Sequence, residues 1–432
     1  MSSALAFQHG RRVAREHPAD QAGRLLAGVL IFAAGVLVAV PIQVVATVYA
    51  VEFALLAVLP FTLAGERKLD RWVRLLLLLG MAWLWSQIVT DLLRDSAFFD
   101  YSRGWARIGF ALLNLVVLWL LLGEGHRRQL LFASGLAAGL ALRFVLDPGR
   151  LAEGDPWKFG LAFPVTLAII IAASTKVAEA SWFVQPALLA SASFVNMMLG
   201  FRSLAGVCFL AAVLLMLRSR WAGGGRLTPV ALVVVSAVAA VGFFIGYQRA
   251  AKDGLLGPAA AVKFETQSRG GDLGIVLAGR PETYASALAI RDSPLIGHGS
   301  WPSDPQYRLA MAAELRSRGY LVYEPADTDR IPTHSHLLGA WVEAGLLGAV
   351  FWGAVLVLCC SALLAVQRSR TDFAPLAAFF GFGLAWDVLF SPFGADRRII
   401  VPFAIVVLVS ALRDARYRDQ RARESGRAGA DE

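Results

Sequence analysis

Charge is scarce in this chain, and so are the residue patterns that hold metals, crosslinks or nucleotides. Of 432 residues only 17% are Asp, Glu, Lys or Arg, against about a quarter in soluble domains. Cysteine occurs three times, at Cys208, Cys359 and Cys360, always inside an apolar block. Such thiols read as core- or lipid-facing groups rather than a disulfide framework or a zinc site. No His-Glu-x-x-His, no Asp-x-Asp and no Gly-x-x-x-x-Gly-Lys before Ser or Thr is present. A zinc peptidase and a phosphate-binding nucleotide loop are therefore not expected, and no cofactor is called for. The first residues carry Arg11, Arg12, Arg15 and Arg24 but no short apolar run ending in a small-residue cleavage site. The first apolar block is expected to stay in place as a span.

What the chain has instead is apolar length. Hydrophobic residues make up 57% of it and the mean hydropathy is +0.58. They fall in blocks of membrane-spanning size divided by short charged breaks, the pattern of an all-α polytopic membrane protein. Twelve spans are read, at about 25–40, 43–63, 73–90, 106–122, 129–146, 159–174, 183–199, 203–217, 229–247, 345–366, 374–390 and 399–412. The chain then divides into an N-terminal tail (1–24), transmembrane helices 1–9 (25–247), a long loop (248–333), transmembrane helices 10–12 (334–412) and a C-terminal tail (413–432).

The net charge of +9 invites a nucleic-acid reading, but the positive residues sit at alternate breaks. His126-Arg127-Arg128, Lys176, Arg218 to Arg226, Arg368 to Arg370 and the arginines after 412 all fall on the side of the basic N-terminus. That is the pattern of topology, with both termini cytoplasmic, and no nucleic-acid partner is expected. Residues 248–333 then lie outside and hold ten Lys/Arg and ten Asp/Glu. At 86 residues this break exceeds ordinary connections and is expected to be functional. Ser303-Asp304-Pro305-Gln306 has the order of a capping box with Ser303 as the cap, and residues from Arg280 to Asp292 suit a second amphipathic helix.

Three features converge on that outer side. Arg202, in Gly200-Phe201-Arg202-Ser203, stands between two apolar blocks. An arginine there snorkels as an anchor or binds an anion, since guanidinium pairs well with phosphate oxygens. Arg280 precedes Pro294-Leu295-Ile296-Gly297-His298-Gly299, whose glycines allow close backbone approach to a ligand. Finally His334 and His336 stand where the loop enters an apolar helix, with Thr333 or Ser335 as its cap. Imidazole is the side chain suited to moving protons near neutral pH.

His334-Ser335, nine residues, Gly345, two residues, Gly348 resembles the His-[Asn/Ser/Gln]-x9-Gly-x-x-[Gly/Thr/Tyr] pattern of bacterial O-antigen ligases, which related O-antigen and exopolysaccharide polymerases share in looser form. Arg202 resembles the family's mid-chain arginine, although its Phe-Arg-Ser setting departs from the commoner Ser-Arg-Gly. Arg280 with the Pro-Leu-Ile-Gly-His-Gly stretch resembles the family's loop arginine. The resemblance implies a type-C membrane glycosyltransferase with about twelve transmembrane helices and a large periplasmic helical loop, in the bacterial inner membrane. It implies a glycan donor on undecaprenyl pyrophosphate and an acceptor hydroxyl on a glycan or on lipid A–core. Arg202 and Arg280 are then expected to hold the pyrophosphate in place of a metal ion, and His334, with His336 second, to act as general base in an inverting transfer. The competing class is a flippase or transporter of a lipid-linked anion. It would place ionisable residues through the membrane, and Asp91, Arg143 and Asp387 lie in or near spans.

Overall fold

The computed structural model describes residues 18–44, 46–65, 67–123, 125–220, 228–257, 280–320, 329–368 and 371–428. The basic residues Arg11, Arg12, Arg15, Arg226 and Arg370 lie outside them, as do the loop stretches 258–279 and 321–328. The helices in chain order are α1 (Pro18–Val36), α2 (Ala50–Leu63), α3 (Arg71–Leu93), α4 (Phe98–Leu122), α5 (His126–Leu146), α6 (Gly149–Gly154), α7 (Ala162–Ala173), α8 (Lys176–Glu179), α9 (Val184–Met198), α10 (Arg202–Arg220), α11 (Pro229–Lys252), α12 (Glu282–Asp292), α13 (Pro305–Ser317), α14 (His336–Ala344), α15 (Leu346–Arg368), α16 (Ala374–Phe390) and α17 (Arg397–Ala428). The all-α polytopic class is borne out. Among the described residues, six stretches are long and apolar enough to cross a membrane: Gln21–Ala39, Arg71–Leu93, Phe98–Leu122, His126–Leu146, Pro229–Lys252 and Leu346–Arg368.

Local chemistry sets the helix ends. Asp70 caps α3 by accepting from the Trp72 N–H at 2.8 Å, and Thr228 caps α11 ahead of Pro229 at its first turn. Residues 43–49, expected to open the second span, form part of a hairpin instead, with Pro41–Gln43 antiparallel to Thr47–Tyr49. Pro41 stops the preceding helix, and Thr47, Val48 and Tyr49 favour extended backbone. Glu52 then starts α2 by accepting from the Tyr49 N–H at 2.9 Å. In α13 the cap is Asp304, which accepts from Gln306 N–H at 3.0 Å, and not Ser303. Serine one residue further out cannot reach that donor.

The core lies between α4, α15, α16 and α17, where Ile108, Leu118, Trp352, Leu358, Leu376 and Phe403 are buried. Helix α11 is peripheral. It leans on α10 through Phe243 and Phe209, whose ring centroids are 5.2 Å apart, and turns its valines outward, Val230 being 72% exposed. A helix this apolar on its outer face suits lipid rather than water.

Over one end of the bundle α12, α13 and α14 form a cap with its own small core of Ala285, Ala289, Tyr307, Ile331 and Val342. Two glycines lock it down. Gly345 ends α14 at φ 69°, ψ −156°, a region open essentially to glycine alone, and a Cβ there would stand 2.1 Å from the Leu295 carbonyl oxygen. Gly297, at φ 88°, faces Gly345 in turn, with its own Cβ position 2.6 Å from the Gly345 nitrogen. The backbones therefore touch, and His298 and Gly299 N–H donate to the Val342 and Glu343 carbonyls at 2.8 and 2.9 Å. We predict that Gly345→Ala destabilises the cap by about 3 kcal/mol or more, from backbone strain plus overlap. Thermal unfolding of the reconstituted protein, with proteolysis of the 293–345 region, measures it; wild-type stability would contradict the clip.

Candidate functional site

The loop that follows α12 is consumed by the protein itself. Asp91, near the end of α3, accepts from the Ser300 N–H at 2.6 Å, the Ser300 hydroxyl at 2.7 Å and the Trp105 indole at 2.8 Å. Arg94 donates to the Gly297 carbonyl at 3.1 Å and the Ser293 hydroxyl at 2.8 Å, and Thr90 donates to the Ile296 carbonyl at 2.6 Å. A Cβ on Gly299 would meet Ser96 Oγ at 2.5 Å. Gly297 and Gly299 thus serve close approach to neighbouring protein, which corrects the sequence-based expectation of approach to a ligand. His298 is likewise engaged, its Nε2 lying 2.8 Å from the Ala289 carbonyl oxygen.

The two junction histidines part company. Ser335 caps α14 by accepting from Leu338 N–H at 3.1 Å, and its hydroxyl donates to the Val388 carbonyl at 2.8 Å. That turn sends His336 inward, 1% exposed, with Nδ1 2.5 Å from the Ser391 carbonyl oxygen. Trp352 and Phe393 hold its ring edge to face, at centroid distances of 4.7 and 5.2 Å. Burial and the charge of Arg397 push its pKa well below the ordinary imidazole value, so it rests neutral in an aromatic cage. Glu343, seven residues on, is buried too and pairs with Arg107 of α4.

His334 lies before the helix and remains half-buried at the cap's edge. Burial is the main influence lowering its pKa; the Glu282 carboxylate pulls it up, and Arg280 and Lys158 push it down. Arg280 in turn is lowered by burial, raised by Glu282 and lowered by Arg202. Arg202 thus acts on Arg280 and Arg280 on His334, although the three are spread from position 202 to position 334. Two further groups join them that the sequence did not flag, Lys158 and Glu282.

Lys158 and Arg202 are held by identifiable contacts. Lys158 occupies a π-helical turn, Trp157–Leu161, at the mouth of α7, a local irregularity common at functional sites. Its N–H donates to Asp155 Oδ1 at 2.9 Å, and its ammonium lies 4.7 Å from the Phe159 ring centre. Next to it, the Trp157 indole donates to Asn196 Oδ1 at 3.2 Å. Buried Asn196 also donates to Thr166 at 2.8 Å and accepts from the Phe201 N–H through its carbonyl at 2.8 Å. This one residue ties the lysine turn to the tight turn at Gly200, φ 82°, from which Arg202 starts α10. The Arg202 guanidinium stacks on Tyr247 of α11, 5.2 Å from the ring centre. A lone lysine at a span edge reads as a snorkelling anchor, and only the Trp157–Asn196 bond would have separated Lys158 from that reading.

The other ionisable groups in or near spans are paired off. Asp387 holds Arg397 at 2.7 Å, Arg143 donates to the Tyr49 hydroxyl at 2.7 Å, and Arg398 donates to buried Glu52 at 2.7 Å. With Asp91 clamping the loop, these groups fasten helix ends together.

The family model for O-antigen ligase matches residues 187–353, a stretch that includes Arg202, Arg280, Glu282, His334, Gly345 and Gly348. The match supports membership of the O-antigen ligase and polymerase superfamily. No curated protein and no solved structure matches the chain. The match supports a membrane glycan enzyme of ligase or polymerase type. Lys158 lies before the matched stretch.

The cage around His336 has a consequence that separates it from His334. We predict that His336→Phe keeps the fold, at a cost of about 1–3 kcal/mol for the Ser391 carbonyl left without its donor, as thermal unfolding would report. Loss of the folded protein would show the imidazole to be indispensable to the core.

Proposed function

We propose that this protein transfers a glycan from an undecaprenyl diphosphate carrier to an acceptor hydroxyl at the outer face of the bacterial inner membrane. The observation that carries the reading is that Lys158 and Arg280 act on His334 and Arg202 acts on Arg280, with the Glu282 carboxylate acting on both Arg280 and His334. Among the described residues these cations make a positive patch of the kind a diphosphate suits. As the glycosidic bond breaks, its electron pair passes to the diphosphate oxygen, and cations already in place stabilise that charge without reorganising. Arginines bind phosphate oxygens in pairs, and lysine adds a compact point charge.

His334 is the base in this scheme. The acceptor oxygen attacks the anomeric carbon, its proton passes to the imidazole, and the carbon–oxygen bond to the diphosphate breaks. Because burial holds His334 below the ordinary imidazole value, the proton-accepting form dominates at neutral pH. One base and, among the described residues, no opposed carboxylate pair favour a single displacement with inversion. For the lipid tail, a shallow apolar groove lined by Leu210, Leu214, Leu217, Leu232, Val235 and Phe382 lies between α10, α11 and α16, on the helix that Arg202 begins. A flippase would need charged groups along a path across the membrane; Asp91, Arg143 and Asp387 are instead tied at helix ends, which favours transfer over transport. Ligase and polymerase differ in product, one added block against a ladder of sizes.

His334→Ala is expected to lower transfer by about 10²–10⁴-fold, the usual worth of a general base, with the protein still folded. Arg202→Gln and Arg280→Gln are each expected to raise the donor KM roughly tenfold or more, in line with about 1.5–3 kcal/mol for a charge-assisted hydrogen bond. Wild-type transfer by His334→Ala would overturn the reading. The orientation is open to a separate check in intact cells. An impermeant maleimide should label Leu255→Cys, after α11, and spare Val177→Cys in α8; both positions are exposed, and reversed labelling would place the site on the wrong side.

A further inference from the structure

An imidazole that accepts a proton becomes a cation, and here it does so among Lys158, Arg280 and, beyond them, Arg202. Those charges suit the diphosphate but oppose the proton transfer. Unless a carboxylate offsets the imidazolium, the groups that stabilise the leaving group weaken the base.

Glu282 is the carboxylate in position. It begins α12, and Ser286, one turn further on the same helix face, donates to the Pro332 carbonyl at 3.1 Å. Pro332 is two residues before His334, so this bond holds the first turn of α12 beside the segment that delivers the imidazole. Ala285 and Ala289 of α12 pack with Ile331 and Val342 in the cap's core, which fixes both elements from the other side. One oxygen of the carboxylate, Oε2, is buried and has no hydrogen-bond partner among the described residues. A buried carboxylate oxygen left without a donor is costly, and an imidazole ring N–H is a donor of the right kind.

We propose that Glu282 is the positioning partner of His334, offsetting the imidazolium formed when the acceptor loses its proton. The inference rests on His334 being the base. In the step, the acceptor O–H bond breaks and an N–H bond forms on His334; Glu282 stays ionised and takes no proton. After the diphosphate leaves, the imidazolium returns its proton to outer water. The charged groups acting on His334 are Glu282 at the start of α12, Arg280 just before it and Lys158 in the π-helical turn of the α7 mouth. Their effects have opposite signs, and this makes the proposal testable.

The experiment uses the full chain in nanodiscs with a lipid-diphosphate glycan donor, and follows single-turnover transfer from pH 5 to pH 9. Glu282→Gln should slow transfer about 10- to 100-fold, a share of what a general base supplies, with the donor KM within about twofold. Its acid limb should move to lower pH, because the group that raised the His334 pKa is gone. Glu282→Asp should recover most of the rate, and Lys158→Met should move the limb to higher pH. An unshifted limb in Glu282→Gln, or a loss confined to the donor KM, would overturn the partner role. So would equal losses in the Gln and Asp variants with matching drops in melting temperature. Transfer by His334→Ala would sink the reading beneath it; an inactive His334→Ala with an unshifted Glu282→Gln limb would sink this inference alone.

Discussion

Like charges do not gather of their own accord, and the proposed site depends on keeping Lys158 and Arg280 near His334, and Arg202 near Arg280, at the edge of an apolar bundle. Each cation comes from a different part of the chain. Asn196 joins the π-helical turn of Lys158 to the Gly200 turn of Arg202. Tyr247 offers a ring face to the Arg202 guanidinium, an attraction suited to a positive group near lipid. The Ser286–Pro332 bond holds α12 beside the segment leading to His334.

A second set of contacts keeps the cap from drifting. Asp91, Arg94 and Thr90 at the end of α3 grip residues 293–300, while Gly297 and Gly345 let the loop and the end of α14 meet backbone to backbone. Behind them the buried Arg107–Glu343 pair joins α4 to α14. Breaking such a pair one side at a time is costly, because the surviving charge stays buried. This division separates rigid fastening on one side of α14 from the field around His334 on the other, and it accounts for two neighbouring histidines with different surroundings.

Sequence reading carried the apolar helices well, because hydrophobic block length is a strong signal. It also brought out Arg202, Arg280 and His334, since charged or titratable residues stand out against an apolar background. It failed where the answer lay in a contact between distant residues. Gly297 and Gly299 signal close approach but not to what, and the partners turned out to be Gly345, Glu343, Ser96 and Asp91. His334 and His336 look alike in sequence, yet the Ser335 cap turns one into an aromatic cage. Lys158 and Glu282 went unnoticed because a lysine at a span edge and a glutamate in an outer loop are ordinary; only the contacts at Asn196 and Ser286 place them. The hairpin at 41–49 was hidden by its hydrophobicity, which matches a span as well as a strand.

The central claim is that this cluster recognises a lipid diphosphate. The most direct measurement is the affinity of the nanodisc-embedded protein for undecaprenyl diphosphate and for undecaprenyl monophosphate, with wild type compared against the Lys158→Gln/Arg202→Gln/Arg280→Gln variant. The account predicts that wild type prefers the diphosphate, that added salt weakens the preference, and that the triple variant loses it. Equal affinity of wild type for the two lipids, or a diphosphate preference that survives removal of all three charges, would contradict it.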